Sequence, residues 1–102
     1  MKVVISGKQL KVSNALKEYV DKHLVQPLTR FYDHQAAELR VEFEDSLPRK
    51  GGEDIVCHLT LHMPGARTLH IEESTQDKEA SLNAAGERLI RSVHKELEKM
   101  RA

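Results

Sequence analysis

Three stretches of this chain alternate between inward apolar and outward polar residues, and each offers one apolar face. Leu39, Val41 and Phe43 alternate with Arg40, Glu42 and Glu44 across Glu38 to Asp45. Ile55, Cys57, Leu59, Leu61 and Met63 alternate with Val56, His58, Thr60 and His62. Leu69 and Ile71 alternate with Thr68, His70 and Glu72. A period of two is the strand period, and a sheet apolar on one side is covered on that side alone. Every helix must then lie on a single sheet face. A fourth strand is expected from Lys2 to Ser6, with Val3 and Ile5 on one side, Val4 on the other, and Gly7 ending it.

Two helical patterns supply the cover. Ser13 can cap the free N–H groups of the first, with Asn14 a rival cap. Leu16, Val20, Leu24 and Tyr19 form its apolar face, while Lys17, Asp21 and Lys22 point away. Pro27 removes a helical hydrogen bond and clashes with the preceding turn. A kinked or two-piece helix to about Tyr32 is the expected result. The second pattern spans Thr75 to Met100, led in by Gln76-Asp77. Leu82, Ala85, Leu89, Val93, Leu97 and Met100 recur at spacings of three and four and share one face. Gly86 falls on the buried side, at about 1 kcal/mol relative to Ala, so close approach to the sheet or first helix is its expected reason.

The element order is β-α-β-β-β-α. A helix between the first two strands implies a crossover and parallel pairing, and the remaining strands form an antiparallel meander. The fold expected is α+β: a two-layer sandwich with a four-stranded sheet and two helices on one face. Ser46 to Asp54, with Pro48, Gly51 and Gly52, reads as a polar loop. A three-residue turn, Pro64-Gly65-Ala66, with Gly65 or its neighbour left-handed, keeps both flanking strands in phase. In that register Thr60 opposes His70 and His58 opposes Glu72.

The 102 residues suit one domain with one modest core. Lys plus Arg number 16, as do Asp plus Glu, so net charge is zero, against a generic basic nucleic-acid binder but not against a local patch. The single Cys57 cannot form an internal disulfide, and a reducing compartment is the simple reading. No apolar run is long enough to span a bilayer, and Met1 leads straight into a strand rather than a signal peptide, so a cytoplasmic protein is expected.

Catalysis finds no support. The chain contains no GxSxG, P-loop, HExxH or GxGxxG, and Cys57 alternates into the core, where a thiol is normally inert. No cofactor and no small-molecule substrate are expected. His58, His70 and Glu72 share the outer sheet face and could conceivably hold a metal. Their spacing matches no tight zinc pattern, so histidines and threonines on a wet face are the favoured reading and no metal is expected.

The distinctive surface is on the last helix. Arg88, Arg91, Lys95 and Lys99 recur at the same spacings as the apolar set but on nearly the opposite face, with Glu87 and Glu98 to one side. His94 lies beside the stripe. A solvated helix face has the same composition. With Lys17 and Lys22 on the first helix, however, the row suits phosphate contacts that fix position without reading bases. The few aromatics and absent Trp argue against a base-stacking platform and for structured RNA recognised by shape. The residues alone leave a protein-interaction module equally open, one using the outer sheet face with Glu42, His58, His70 and Glu72.

Larger stretches carry a resemblance. The opening Met1-Lys2-Val3-Val4-Ile5-Ser6-Gly7, then Val12 to Val20, resembles the ribosome hibernation promoting factor family, also called ribosome-associated inhibitor, sigma-54 modulation or S30EA proteins. Phe31-Tyr32-Asp33 is similar to that family's aromatic-aromatic-Asp ending of the first helix, and Gln76-Asp77 with Leu82, Arg88, Leu89, Arg91 and Lys95 to its last helix. The chain departs from the family at Lys78-Glu79, Pro27, Glu96 and Glu98. The resemblance implies a fold akin to the double-stranded RNA-binding domain. It also implies a non-enzymatic factor that binds 16S rRNA of the small ribosomal subunit in the decoding channel and silences idle ribosomes. By position Arg88, Arg91 and Lys95 inherit the rRNA contacts, Lys17 and Lys22 follow as weaker candidates, and Lys99 joins by helical geometry. Ending at Ala102, the chain resembles the family's short form or an N-terminal domain, without the dimerisation domain of long members.

Overall fold

In the computed structural model, which describes residues 1–46 and 54–101, the strands are β1 (Lys2–Lys8), β2 (Glu38–Asp45), β3 (Ile55–His62) and β4 (Leu69–Thr75). They form one sheet in the order β1-β2-β3-β4, β1 parallel to β2 and the other pairs antiparallel. The helices are α1 (Asn14–Val20), continued by a π-helical turn (Asp21–Val25) and α2 (Gln26–Thr29), and α3 (Lys78–Arg101). This is the α+β, β-α-β-β-β-α sandwich the patterning predicts.

The inward residues Leu39, Val41, Phe43, Cys57, Leu59, Leu61, Leu69 and Ile71 form one core with Leu16, Val20, Leu24, Leu28, Leu82, Ala85, Leu89 and Val93. Both helical segments therefore cover the same sheet face. The register pairs Thr60 with His70 and His58 with Glu72, as the phase argument requires. Between β3 and β4, Ala66 N–H donates to the Met63 carbonyl at 2.9 Å, and Gly65 has φ +78°. Pro64 then Gly65 at the two corners suits a type II turn, whose second corner is left-handed. Ser46 N–H donates to the Asp54 carbonyl at 2.9 Å. The loop residues between them, with Pro48, Gly51 and Gly52, lie outside the described residues.

Four expectations need correction. Gly7 does not end β1: the strand continues to Lys8, pairing Gly7 with Phe43. Its glycine serves close approach instead, since a Cβ there would sit 2.0 Å from the Leu10 carbonyl oxygen. The first helical segment ends at Thr29, not Tyr32, and Phe31 and Tyr32 N–H groups both fold back to the Leu28 carbonyl. β4 runs three residues beyond Glu72, to Thr75. Met100 is half exposed, so the apolar stripe of α3 ends before it.

The π turn has a cause in the apolar spacing. Leu16, Val20, Leu24 and Leu28 are all buried, four residues apart. In a pure α-helix that spacing drifts by about 40° per step, or roughly 120° over the set. A wider turn in the middle holds all of them toward the sheet, and Pro27, lacking an N–H, follows it at the start of α2.

Candidate nucleic-acid interface

α3 begins where Asp77 caps it. Asp77 Oδ1 accepts from Ala80 N–H at 2.7 Å, and its carbonyl accepts from Ser81 N–H at 3.1 Å. The helix then runs without a break to Arg101. Three contacts fix its rotation beside the first helical segment. Asn83 Nδ2 donates to Tyr19 Oη at 2.8 Å, Gly86 leaves room for Leu24, and His94 stacks on Phe31 with centroids 4.2 Å apart. Partner numbers rise together, so the two helical segments run parallel.

Arg88, Arg91, Lys95 and Lys99 are all exposed and fall within roughly 80° of helical arc. That arc lies on the flank away from the first helix, toward the β4 edge. Arg88 marks it: its Nη1 donates to the Glu72 carbonyl at 3.0 Å and to Glu73 Oε2 at 3.2 Å. At the other end, Lys99 Nζ lies 3.8 Å from Glu96. Arg91 and Lys95, one turn apart between them, have no carboxylate partner among the described residues.

Lys17 and Lys22 are exposed too, but on the first helical segment, across the seam from the α3 row. They are interleaved with exposed Glu18 and Asp21. The structure thus brings four of the six sequence candidates into one row and sets the other two apart. His94 is on the seam side of α3 rather than within the row.

The sequence reading did not single out Glu73 or Arg67, and it noted Glu96 only as a departure from the family pattern. Glu73 occupies the next inward position of β4 after Leu69 and Ile71, opposite Cys57, and so lies beneath Arg88. Glu96 is 6 % exposed, in line with Leu82, Leu89 and Val93, and Arg67 Nε holds it at 2.8 Å. Its signal was available: a carboxylate at an apolar-stripe position of a helix needs a cation.

The outer sheet face is busy with its own contacts. His58 Nε2 lies 3.0 Å from Glu44 and its Nδ1 3.1 Å from Glu72, one carboxylate at each ring nitrogen. Arg40 bonds Glu38 at 2.6 Å, and that hydrogen bond holds the Glu38 carboxyl below its usual range. Thr60 pairs with His70 at 3.1 Å. Among the described residues no group of three His, Cys, Asp or Glu side chains could hold a metal. Cys57 is buried, and burial pushes its thiol up to about 12. No helix of the described residues is long and apolar enough to cross a membrane.

Residues 3–101 match the family described as sigma 54 modulation protein / S30EA ribosomal protein. The chain belongs to this family. It is a family of ribosome-associated factors, not of enzymes. No curated protein matches the chain in sequence. Among solved structures, the N-terminal domain of Thermus thermophilus Protein Y superimposes with a TM-score of 0.74 at 24 % identity, over 93 % of this chain and 98 % of that one. A ribosomal subunit interface protein from Coxiella burnetii superimposes with a TM-score of 0.73 at 16 % identity, over 93 % and 96 %. These likenesses show that the sigma-54 modulation chain shares their fold.

Proposed function

We propose that this S30EA family member binds 16S rRNA of the small ribosomal subunit in the decoding channel, and so blocks translation by idle ribosomes in the cytoplasm. Arg91 and Lys95 support the reading most: two exposed cations one helical turn apart, without carboxylate partners among the described residues, on a chain of a ribosomal family. Such a pair can contact successive phosphates while reading no base. The outer sheet face supports the rival protein-binding reading less well, because His58, Glu44, Glu72, Glu38 and Arg40 already satisfy one another.

Ribosome pelleting over a range of salt tests the proposal. Each phosphate contact contributes roughly 0.7 to 0.9 to the log–log slope. Replacing Arg88, Arg91 and Lys95 together with Ala should abolish co-sedimentation while changing stability by no more than about 0.5 kcal/mol, as for ordinary surface changes. Lys17→Ala and Lys22→Ala should weaken binding less. A triple variant that pellets like the unmodified protein rules out the α3 row as the contact surface.

A further inference from the structure

Arg88 is the first cation of the α3 row, yet it is the one most firmly turned inward. The tip of its side chain meets two oxygens of β4, the Glu72 carbonyl at 3.0 Å and the Glu73 carboxylate at 3.2 Å. Glu73 is there because β4 runs on past its last apolar inward residue, Ile71, and places a carboxylate at the next inward position. From that position the carboxylate reaches the Arg88 guanidinium. Lys99 at the other end of the row is held more loosely. Its ammonium is 3.8 Å from Glu96, beyond hydrogen-bond distance, and Glu96 already has Arg67 at 2.8 Å.

We infer that Glu73 limits the affinity of the row for RNA, by holding Arg88 on β4 so that an incoming phosphate must compete with a carboxylate for the same guanidinium. This rests on the reading that the α3 row meets RNA phosphates. Both contacts use Nη1 alone, which leaves the Nε and Nη2 donors of the Arg88 fork for a phosphate. The competition is therefore electrostatic and partial: the phosphate meets a like charge a few ångströms away. Arg91 and Lys95 bear no such charge and act first. Glu96 restrains Lys99 in the same sense but less, because the contact is longer and shared with Arg67. The row is graded, with free cations in the middle and damped ones at its ends, and Glu73 supplies the stronger damping.

The test compares binding of purified small ribosomal subunits by unmodified protein, Glu73→Gln, Arg88→Ala, the double variant, and Arg91→Ala with Lys95→Ala. Glu73→Gln keeps the side-chain shape at a partly exposed strand position, and a thermal melt checks that the fold is retained. Glu73→Gln should bind roughly two- to fivefold more tightly at low salt, the range expected for freeing one exposed ion pair. Its salt slope should steepen by about 0.7, one further phosphate contact. Arg88→Ala alone should change affinity less than Arg91→Ala with Lys95→Ala does, and in the Glu73→Gln background it should erase the gain. Equal affinity and slope for Glu73→Gln and the unmodified protein overturn the inference. So does an Arg88→Ala loss as large in the original background as in the Glu73→Gln one. If Arg91→Ala with Lys95→Ala weakens binding while Glu73→Gln does nothing, only this inference falls. If that pair binds unchanged, or if the unmodified protein does not bind, the function proposed above falls with it.

Discussion

The ion pair between Arg67 and Glu96 carries an asymmetry that stability measurements can expose. Glu96 is 6 % exposed, while the Arg67 side chain is 72 % exposed and that of Lys99 66 %. Deleting the exposed partner should therefore do more damage than neutralising the buried one. In Arg67→Ala the Glu96 carboxylate stays buried, loses its 2.8 Å contact, and keeps only Lys99 at 3.8 Å. Stranding a fully buried charge by removing its partner costs about 3–5 kcal/mol. Solvent screening on the Arg67 side, and a small shift of Lys99 toward Glu96, bring the expected loss to about 1.5 kcal/mol. For a domain of this size that lowers Tm by roughly 6–12 °C. Glu96→Gln instead removes the buried charge, keeps the side-chain shape, and leaves two exposed cations to water that already solvates them. Its cost should be no more than about 0.5 kcal/mol. Urea unfolding of both variants, compared by midpoint at unchanged slope, measures the difference. A Glu96→Gln loss equal to or larger than that of Arg67→Ala refutes the reasoning, since the pair would then act through its own attraction and not through the penalty of a stranded carboxylate.

Three further outcomes follow from local geometry. Gly7→Ala should cost about 3 kcal/mol, measured as a fall in urea midpoint, because its Cβ would meet the Leu10 backbone oxygen at 2.0 Å and the connection to α1 must shift. Asp77→Ala should cost about 1 kcal/mol through the lost cap on Ala80 N–H, whereas Asp77→Asn, still able to accept, should cost a few tenths. Cys57 makes stability fall at alkaline pH. Its folded value near 12 lies above the ordinary 9.0, so the unfolded chain releases a proton that the folded chain keeps. The contribution is complete below pH 9 and is lost as pH rises from there toward 12, and Cys57→Ser should flatten that part of the stability profile.

The strands were legible because alternation carries its own register. Once Leu59 and Ile71 had to face the same core, the pairing of Thr60 with His70 followed. Strand ends were less legible, because hydrogen bonding continues where side-chain alternation stops. Gly7 still pairs with Phe43, and Glu73 with Cys57, though neither carries an apolar signal. The break near Pro27 was legible, but its form was not. The clue was the repeated spacing of four from Leu16 to Leu28, which a straight α-helix cannot keep on one face. The row of cations was legible as a row. Which members are free was not, because Arg88 and Lys99 meet acids whose positions depend on where β4 ends and how α3 is rotated.

Zero net charge in a chain proposed to bind a polyanion raises the question of which carboxylates matter. The total balances, but a phosphate approaching α3 feels charges weighted by distance and by the water between them. Glu42 and Glu44 point from the outer sheet face, while the row is on the helical side, and the shortest extent of the molecule is 17 Å. That is about two screening lengths at physiological ionic strength, so through solvent those acids weigh little at the row. Glu73, at 3.2 Å from Arg88, is well inside the screening length of about 8 Å at physiological ionic strength. Neutrality overall is then compatible with a positive contact surface, and the acids that set its strength are the few at its margins. Glu42→Gln and Glu73→Gln make the same change in net charge, which separates the two views: if net charge governs binding to small subunits, both variants gain equally, and if proximity governs it, Glu73→Gln alone gains.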